Sequence, residues 1–169
     1  KCPGSARLEA DLPDSTSEFA AEGTVAHDIA EYCLLNGTDA ATRVGQEVSA
    51  DGFSYVVNED MAASIQQYVD YVRDLDGKHL IERRVAYSEW VPGGFGTADA
   101  IVLNGTVMTV ADLKFGRGVR VEAENNPQAM CYALGALNDY GFLYDIDEVR
   151  IAIVQPRLDH VSEWTISAE

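Results

Sequence analysis

Apolar residues recur at helical spacing from Thr24 to Leu35, where Val25, Ala26, Ile29, Ala30 and Cys33 share one face and Asn36-Gly37 supplies a stop. The preceding stretch, residues 1 to 21, is rich in Pro, Ser and Asp and reads as an irregular lead-in. Residues 38 to 57 carry only a weak pattern, which predicts no definite element. A second helix is predicted from about Glu59 to Leu75, with Met61, Ile65, Tyr68, Val69 and Val72 on one side and Asp76-Gly77 ending it. The period then shortens. His79 to Trp90 alternates loosely, Pro92-Gly93-Gly94 turns the chain, and Phe95 to Leu103 reads as the next strand. Asn104-Gly105 between two apolar runs predicts a tight hairpin, with Thr106 to Lys114 returning. After the loop Phe115-Gly116-Arg117-Gly118, a third helix is predicted to open at Asn126-Pro127, Asn as cap and Pro in the first turn, and to end near Tyr140-Gly141. Glu148 to Gln155 and Val161 to Ser167 are the last two strands. Helices and strands in this order imply an α/β or α+β domain, a central sheet covered by helices.

At 169 residues the chain suits one domain with a sizeable core. No apolar run approaches the ~18 to 20 residues that cross a bilayer, so no membrane partner is expected. There is no signal-peptide pattern, and the opening at Lys1 without methionine reads as the middle of a longer protein. Cys2, Cys33 and Cys131 form neither a CxxC pair nor an even set, which fits a reducing compartment. Net charge changes the picture more. At −16, with 28 acidic residues against 12 Lys plus Arg, the chain is a poor match to a polyanion. Two considerations weaken that objection: a site that holds a divalent metal must be acidic, and residues beyond this sequence could carry a basic surface.

The chemistry concentrates between Gly93 and Tyr132. Asp112 and Lys114 stand two apart at a strand end, so their side chains share a face. A hairpin turning at Asn104-Gly105 brings Asp99 to the same end of the sheet. Two carboxylates held together repel unless a positive charge lies between them, and hard oxygen donors of this kind suit Mg²⁺ or Mn²⁺. The plainer alternative is a solvated Asp112–Lys114 surface pair, worth under ~1 kcal/mol.

Gly96-Thr97-Ala98-Asp99-Ala100, Val110-Ala111-Asp112-Leu113-Lys114, and Gln128 with Tyr132 resemble, in that order, the RecB-like branch of the PD-(D/E)XK nucleases. Glu22-Gly23-Thr24-Val25-Ala26-His27 resembles the G-x-x-x-H helix of that branch, and Gln155-Pro156-Arg157 extends the match downstream. Phage and prophage RecB-like proteins begin with a stretch similar to Cys2-Pro3-Gly4-Ser5. The resemblance implies a single nuclease domain over residues 1–169, with a restriction-endonuclease-like core: a mixed sheet with an antiparallel meander, flanked by helices.

It also implies roles. Asp99, Asp112 and His27 would be metal ligands, with the Leu113 backbone carbonyl completing part of the shell; an imidazole tilts the preference toward Mn²⁺. Lys114 would orient or activate the attacking water and offset charge on the phosphate. Gln128 and Tyr132, one helical turn apart, would position the substrate. Glu82, where relatives often carry an acidic residue, is an accessory candidate, and Arg117 and Arg120 are candidate phosphate contacts. Each has a plain alternative: a packed histidine, a cap-region glutamine, a core tyrosine, solvated loop arginines. The implied activity is exonucleolytic hydrolysis of DNA to 5′-phosphates, in the cytoplasm of a bacterial or phage-infected cell. Some relatives bind an iron–sulfur cluster through four cysteines, but nothing after Cys131 is a cysteine, so no cluster is expected within this chain. No GxxxxGK[ST] is present, so a separate helicase or single-strand annealing protein would be the partner, with oligomeric state left open. The competing reading is a catalytically silent nuclease fold that binds or assembles, which the acidic charge favours; a hydrolase acting on another substrate is the third.

Overall fold

The computed structural model describes residues 17–168. The first part of the predicted lead-in, residues 1–16, and with it Cys2-Pro3-Gly4-Ser5, lies outside the described residues. Helix α1 runs Glu18–Asn36, so it begins well before Thr24. The reason is a cap: Ser17 accepts from the Ala20 N–H, and Phe19, Ala20 and Ala21 extend the helix although only Ala21 is buried. After a 3-10 turn at Ala40–Arg43, strands β1 (Glu47–Ala50) and β2 (Phe53–Val56) form a small hairpin in the stretch for which no element is predicted. Its turn residues, Asp51 and Gly52, both have positive φ, as a two-residue primed turn requires.

Helix α2 (Glu59–Arg73) is capped by Asn58, which accepts from Met61 N–H at 2.8 Å. The main sheet follows: β3 (Lys78–Ala86), β4 (Phe95–Asn104), β5 (Val107–Leu113), β6 (Glu148–Gln155) and β7 (His160–Ser167), in spatial order β3-β4-β5-β6-β7. β3, β4 and β5 make an antiparallel meander, β5 and β6 pair parallel, and β7 returns antiparallel. The strand predicted to reach Trp90 stops at Ala86, because Tyr87 to Gly94 closes a turn through Tyr87 N–H to Gly94 C=O. In the β4–β5 hairpin Asn104 pairs with Val107, so the two loop residues are Gly105 and Thr106; Gly105 alone has positive φ, the pattern that puts glycine first in the turn. Helix α3 (Pro127–Tyr144) provides the crossover from β5 to β6 and runs past Gly141 to a left-handed Asp145.

The fold is a mixed α+β architecture with the sheet between two helical layers. Val25, Ile29, Ile65, Tyr68 and Val69 of α1 and α2 pack on one face with Ala100, Val102, Ala111 and Leu113. On the other face Ala129, Ala133 and Ala136 of α3 meet Ile101, Met108, Val110, Ile151 and Ile153. The two faces cover β5 and β6 almost completely, which is why both read as near-continuous apolar runs. No helix among the described residues is long and apolar enough to cross a membrane.

Candidate active site

The β4–β5 ladder runs to Ala100↔Ala111, and Asp99 and Asp112 occupy the next position. Oδ2 of Asp99 accepts the Leu113 backbone N–H at 2.7 Å, so this carboxylate stands in for the missing strand partner and is fixed in direction. Asp112 is 3% exposed. The strand before it is pinned from below by the buried Tyr68 hydroxyl, which donates to Ala111 C=O at 3.3 Å.

Lys114 stands one residue beyond β5, its backbone N–H still donating to Val154 C=O at 2.9 Å. Its ammonium lies 3.1 Å from Oδ1 of Asp112 in hydrogen-bonding geometry and 2.9 Å from Oδ2 without it. Oδ2 is therefore a buried carboxylate oxygen that accepts no hydrogen bond among the described residues. The same ammonium donates to Oε1 of Gln128 at 3.0 Å, and Nε2 of Gln128 donates to the Tyr132 hydroxyl at 2.8 Å. Asp112, Lys114, Gln128 and Tyr132 form one hydrogen-bonded chain from the sheet to the first turns of α3. The chain needs Gly96: a Cβ there would run into the Tyr132 ring.

On the other side of Asp99 lies α1. Nδ1 of His27 is 3.4 Å from Oδ1 of Asp99. His27, Glu82 and Asp99 can each offer a ligand atom, all within 4.8 Å of one another. Asp112 lies outside that tight group, so the structure draws Glu82, rather than Asp112, to the pair His27–Asp99. A shared irregularity of two strands does this. β3 and β4 pair at Ile81↔Ala100 and Arg83↔Ala98 but not between Glu82 and Asp99, and Glu82 has φ +47°. Strict alternation would send Asp99 to the face opposite Ala100; instead both face α1, while Ala98 and Ile101 join the α3 side. A left-handed glutamate inside a strand is a strained backbone of the kind found at functional sites.

The charges are tightly set. Burial, and then the neighbouring Asp99, push the Glu82 carboxyl up to about 7, against the pull of His27. Burial and Asp99 likewise push Asp112 up to about 6, with Lys114 opposing. Burial lowers the His27 pKa, but the hydrogen bond and charge of Asp99, with Asp112 and Glu82, outweigh it and leave the pKa raised. These are the signs of a group short of positive charge. Carboxylate oxygens and an imidazole nitrogen, one buried oxygen of Asp112 lacking a hydrogen bond, form a donor set that could take a hard divalent cation.

The remaining candidates scatter. Arg117 and Arg120 are exposed on the loop after Lys114 and make no hydrogen bond or ion pair among the described residues. Arg157, in the 3-10 turn after β6, grips Glu22 of α1 with two bonds of 2.7 and 2.6 Å, its guanidinium 3.9 Å from the Phe115 ring centroid. Gln155 is buried and holds the loop: its Oε1 accepts Val121 N–H at 2.7 Å and its Nε2 donates to Val119 C=O at 3.2 Å. The Glu22–Arg157 fork has no signal in a single sequence, since the partners are 135 residues apart.

One family profile, described as "Protein of unknown function (DUF2800)", matches residues 1–169, and the chain belongs to that family. Among solved structures, one titled "Crystal structure of SSO0001" is similar at 20% identity over 55% of this chain, with a TM-score of 0.24. The alignment spans 41% of that protein, a likeness too slight to bear on fold or activity.

Proposed function

We propose that this DUF2800 member is a metal-dependent deoxyribonuclease of the PD-(D/E)XK, RecB-like kind, acting as an exonuclease that leaves 5′-phosphates. The observation that carries the reading is the hydrogen-bonded chain Asp112–Lys114–Gln128–Tyr132 standing beside Asp99. A solvated surface pair does not account for it, because Asp112 is buried and Lys114 is held from two sides.

Asp99, Asp112, His27 and the Leu113 carbonyl would hold Mg²⁺ or Mn²⁺, with Glu82 as a further carboxylate. A divalent cation, when bound, supplies Lewis acidity toward the phosphate and lowers the pKa of water. The chain's own groups do the rest. Lys114, whose ammonium is oriented by Gln128, sets a positive charge where the phosphate gathers negative charge and can hold the attacking water. Gln128 and Tyr132 fix that ammonium and offer polar atoms to the substrate backbone. Arg117 and Arg120, without a partner among the described residues, would meet flanking phosphates. Exonucleolytic action, a bacterial or phage-infected cytoplasm and a separate helicase or annealing partner rest on the family resemblance.

The net charge of −16 favours a second reading, a silent nuclease fold that binds or assembles. Incubating the protein with linear and with circular DNA, in Mn²⁺ and in EDTA, separates the two. Cleavage of linear DNA that depends on Mn²⁺ is expected; no cleavage of either form under any divalent cation would overturn the enzymatic reading.

A further inference from the structure

Apolar packing holds α1 against the sheet without fixing how it is turned. The residues buried in its first half, Ala21, Val25 and Ala26, are small, and contact between such groups has little direction. Yet His27 has to arrive beside Asp99, and it stands about 140° round the helix from Glu22 and ~7.5 Å along it. Glu22 does have a directional contact. Nη1 of Arg157 donates to its Oε2 at 2.7 Å and Nη2 to its Oε1 at 2.6 Å. Two bonds from a rigid planar group set orientation as well as distance. The fork is shielded, with the Arg157 side chain 12% and the Glu22 side chain 24% exposed, and the guanidinium lies over the Phe115 ring. Arg157 has a fixed frame of its own. It follows the buried Pro156 in the turn after β6, three residues from Val154, whose C=O accepts the Lys114 N–H at 2.9 Å. Phe115, the next residue after Lys114, is itself buried. The guanidinium is thus tied to the strand end that bears Asp112 and Lys114.

Resting on the metal-dependent reading above, we infer that Glu22 and Arg157 are positioning residues for His27: their fork turns α1 so that the imidazole meets Asp99 and Glu82 at ligand range. Neither residue belongs to the ligand group, and both donor ends of Arg157 are taken up by Glu22. The tolerance is narrow. At the ~5 to 6 Å radius of a helix with its side chains, a rotation of ~20° carries the imidazole about 2 Å. Ligand atoms must lie within ~2.0 to 2.6 Å of a hard cation, so that displacement removes His27 from the set. The fork matters rather than the charge alone. A lysine at position 157 would keep the attraction to Glu22 and lose the paired bonds that fix rotation. Losing a group that orients a metal-ligating histidine typically costs ~10- to 100-fold in metal affinity.

Imidazole NMR in EDTA, followed by calorimetric titration with Mn²⁺, tests this without needing turnover. The variants are Arg157→Met, Arg157→Lys and Glu22→Leu. In each, the His27 ring signals should move in metal-free protein, while those of His79, on β3, stay in place and report an intact fold. Mn²⁺ affinity should fall ~10- to 100-fold in all three, the lysine variant included. In a His27→Ala background, Arg157→Met should cost at most about twofold more, because the fork acts through the imidazole. If Arg157→Met unfolds and displaces His79 as well, the milder Arg157→Lys carries the same comparison. Unmoved His27 signals, full Mn²⁺ affinity in Arg157→Lys, or an additive loss in the His27→Ala background would overturn the inference. Mn²⁺-dependent DNA cleavage alongside any of these results would leave the nuclease reading standing and the fork's role refuted. His27 signals that move as expected in a protein that binds no Mn²⁺ would uphold the fork and refute the metal-dependent reading.

Discussion

Lys114 and Gln128 join the sheet to α3 through one hydrogen bond, Nζ to Oε1 at 3.0 Å, while the other side of the same ammonium faces Asp112. Its position is thus set by two elements of the fold at once. That arrangement separates the expected behaviour of Lys114 from that of its neighbour. Lys114→Ala leaves every carboxylate in place and should reduce DNA turnover ~10²- to 10³-fold, the usual loss of one preorganised charge contact. Its affinity for Mn²⁺ should hold or rise, since the ammonium no longer repels the cation. Asp112→Ala should lose both metal binding and cleavage. Cleavage assays and Mn²⁺ titration on the two variants give the check; full activity in Lys114→Ala would refute its role.

The Gln128–Tyr132 pair acts through Lys114, so its effects should not add. Gln128→Leu removes the tether directly, and Tyr132→Phe removes only the hydroxyl that Gln128 donates to. In the double variant turnover should fall little further than in Gln128→Leu alone, the mark of groups in one network. A double-mutant cycle on kcat measures it, and strict additivity would mean that the two residues serve the substrate separately.

Gly96→Ala tests the packing that the chain depends on. The added Cβ meets the Tyr132 ring, which must shift to receive it. Overpacking of this kind costs ~1 to 3 kcal/mol. Thermal unfolding should show a Tm lowered by several degrees, and Tyr132→Ala in the same chain should recover part of the loss.

Stability against pH follows from the crowded carboxyls. The Glu82 pKa stands at about 7 in the folded chain against 4.5 for the free side chain, and Asp112 at about 6 against 3.8. Folded protein therefore holds more protons than unfolded protein across that window, and stability falls as pH rises through it. Metal-free protein should unfold at a higher temperature near pH 4.5 than near pH 7 by this contribution. Glu82→Gln should flatten the slope, and so should saturating Mn²⁺. A calorimetric pH series in EDTA gives the comparison; an unchanged slope in Glu82→Gln would show that its carboxyl is not held protonated by the fold.

Much of this was legible along the chain because local chemistry dictates it. The cap of α3 at Asn126-Pro127, the hairpin near Gly105 and the two-residue step from Asp112 to Lys114 each depend on neighbours in sequence. Asp51-Gly52 carried the same kind of turn signal for β1 and β2, but the strands flanking it are short and half-exposed, so no apolar alternation marked them. The early start of α1 was hidden for a related reason: its first turn buries only Ala21, and hydrophobic period reports burial rather than helix.

What the sequence by itself determined was the order of α1, α2, α3 and the strands β3 to β7, though not the β1–β2 hairpin, together with the α+β layering and the strand-end grouping of Asp99, Asp112 and Lys114, because period, caps and turn residues are local properties. What only the tertiary structure decided was which groups meet. Glu82 joins His27 and Asp99 through a break in strand alternation shared with β4. Arg157 finds Glu22 across the chain, and Gln155 secures the loop that bears Arg117. These contacts arise from packing helices against both faces of the sheet, and a one-dimensional pattern carries the faces but not the distances between them.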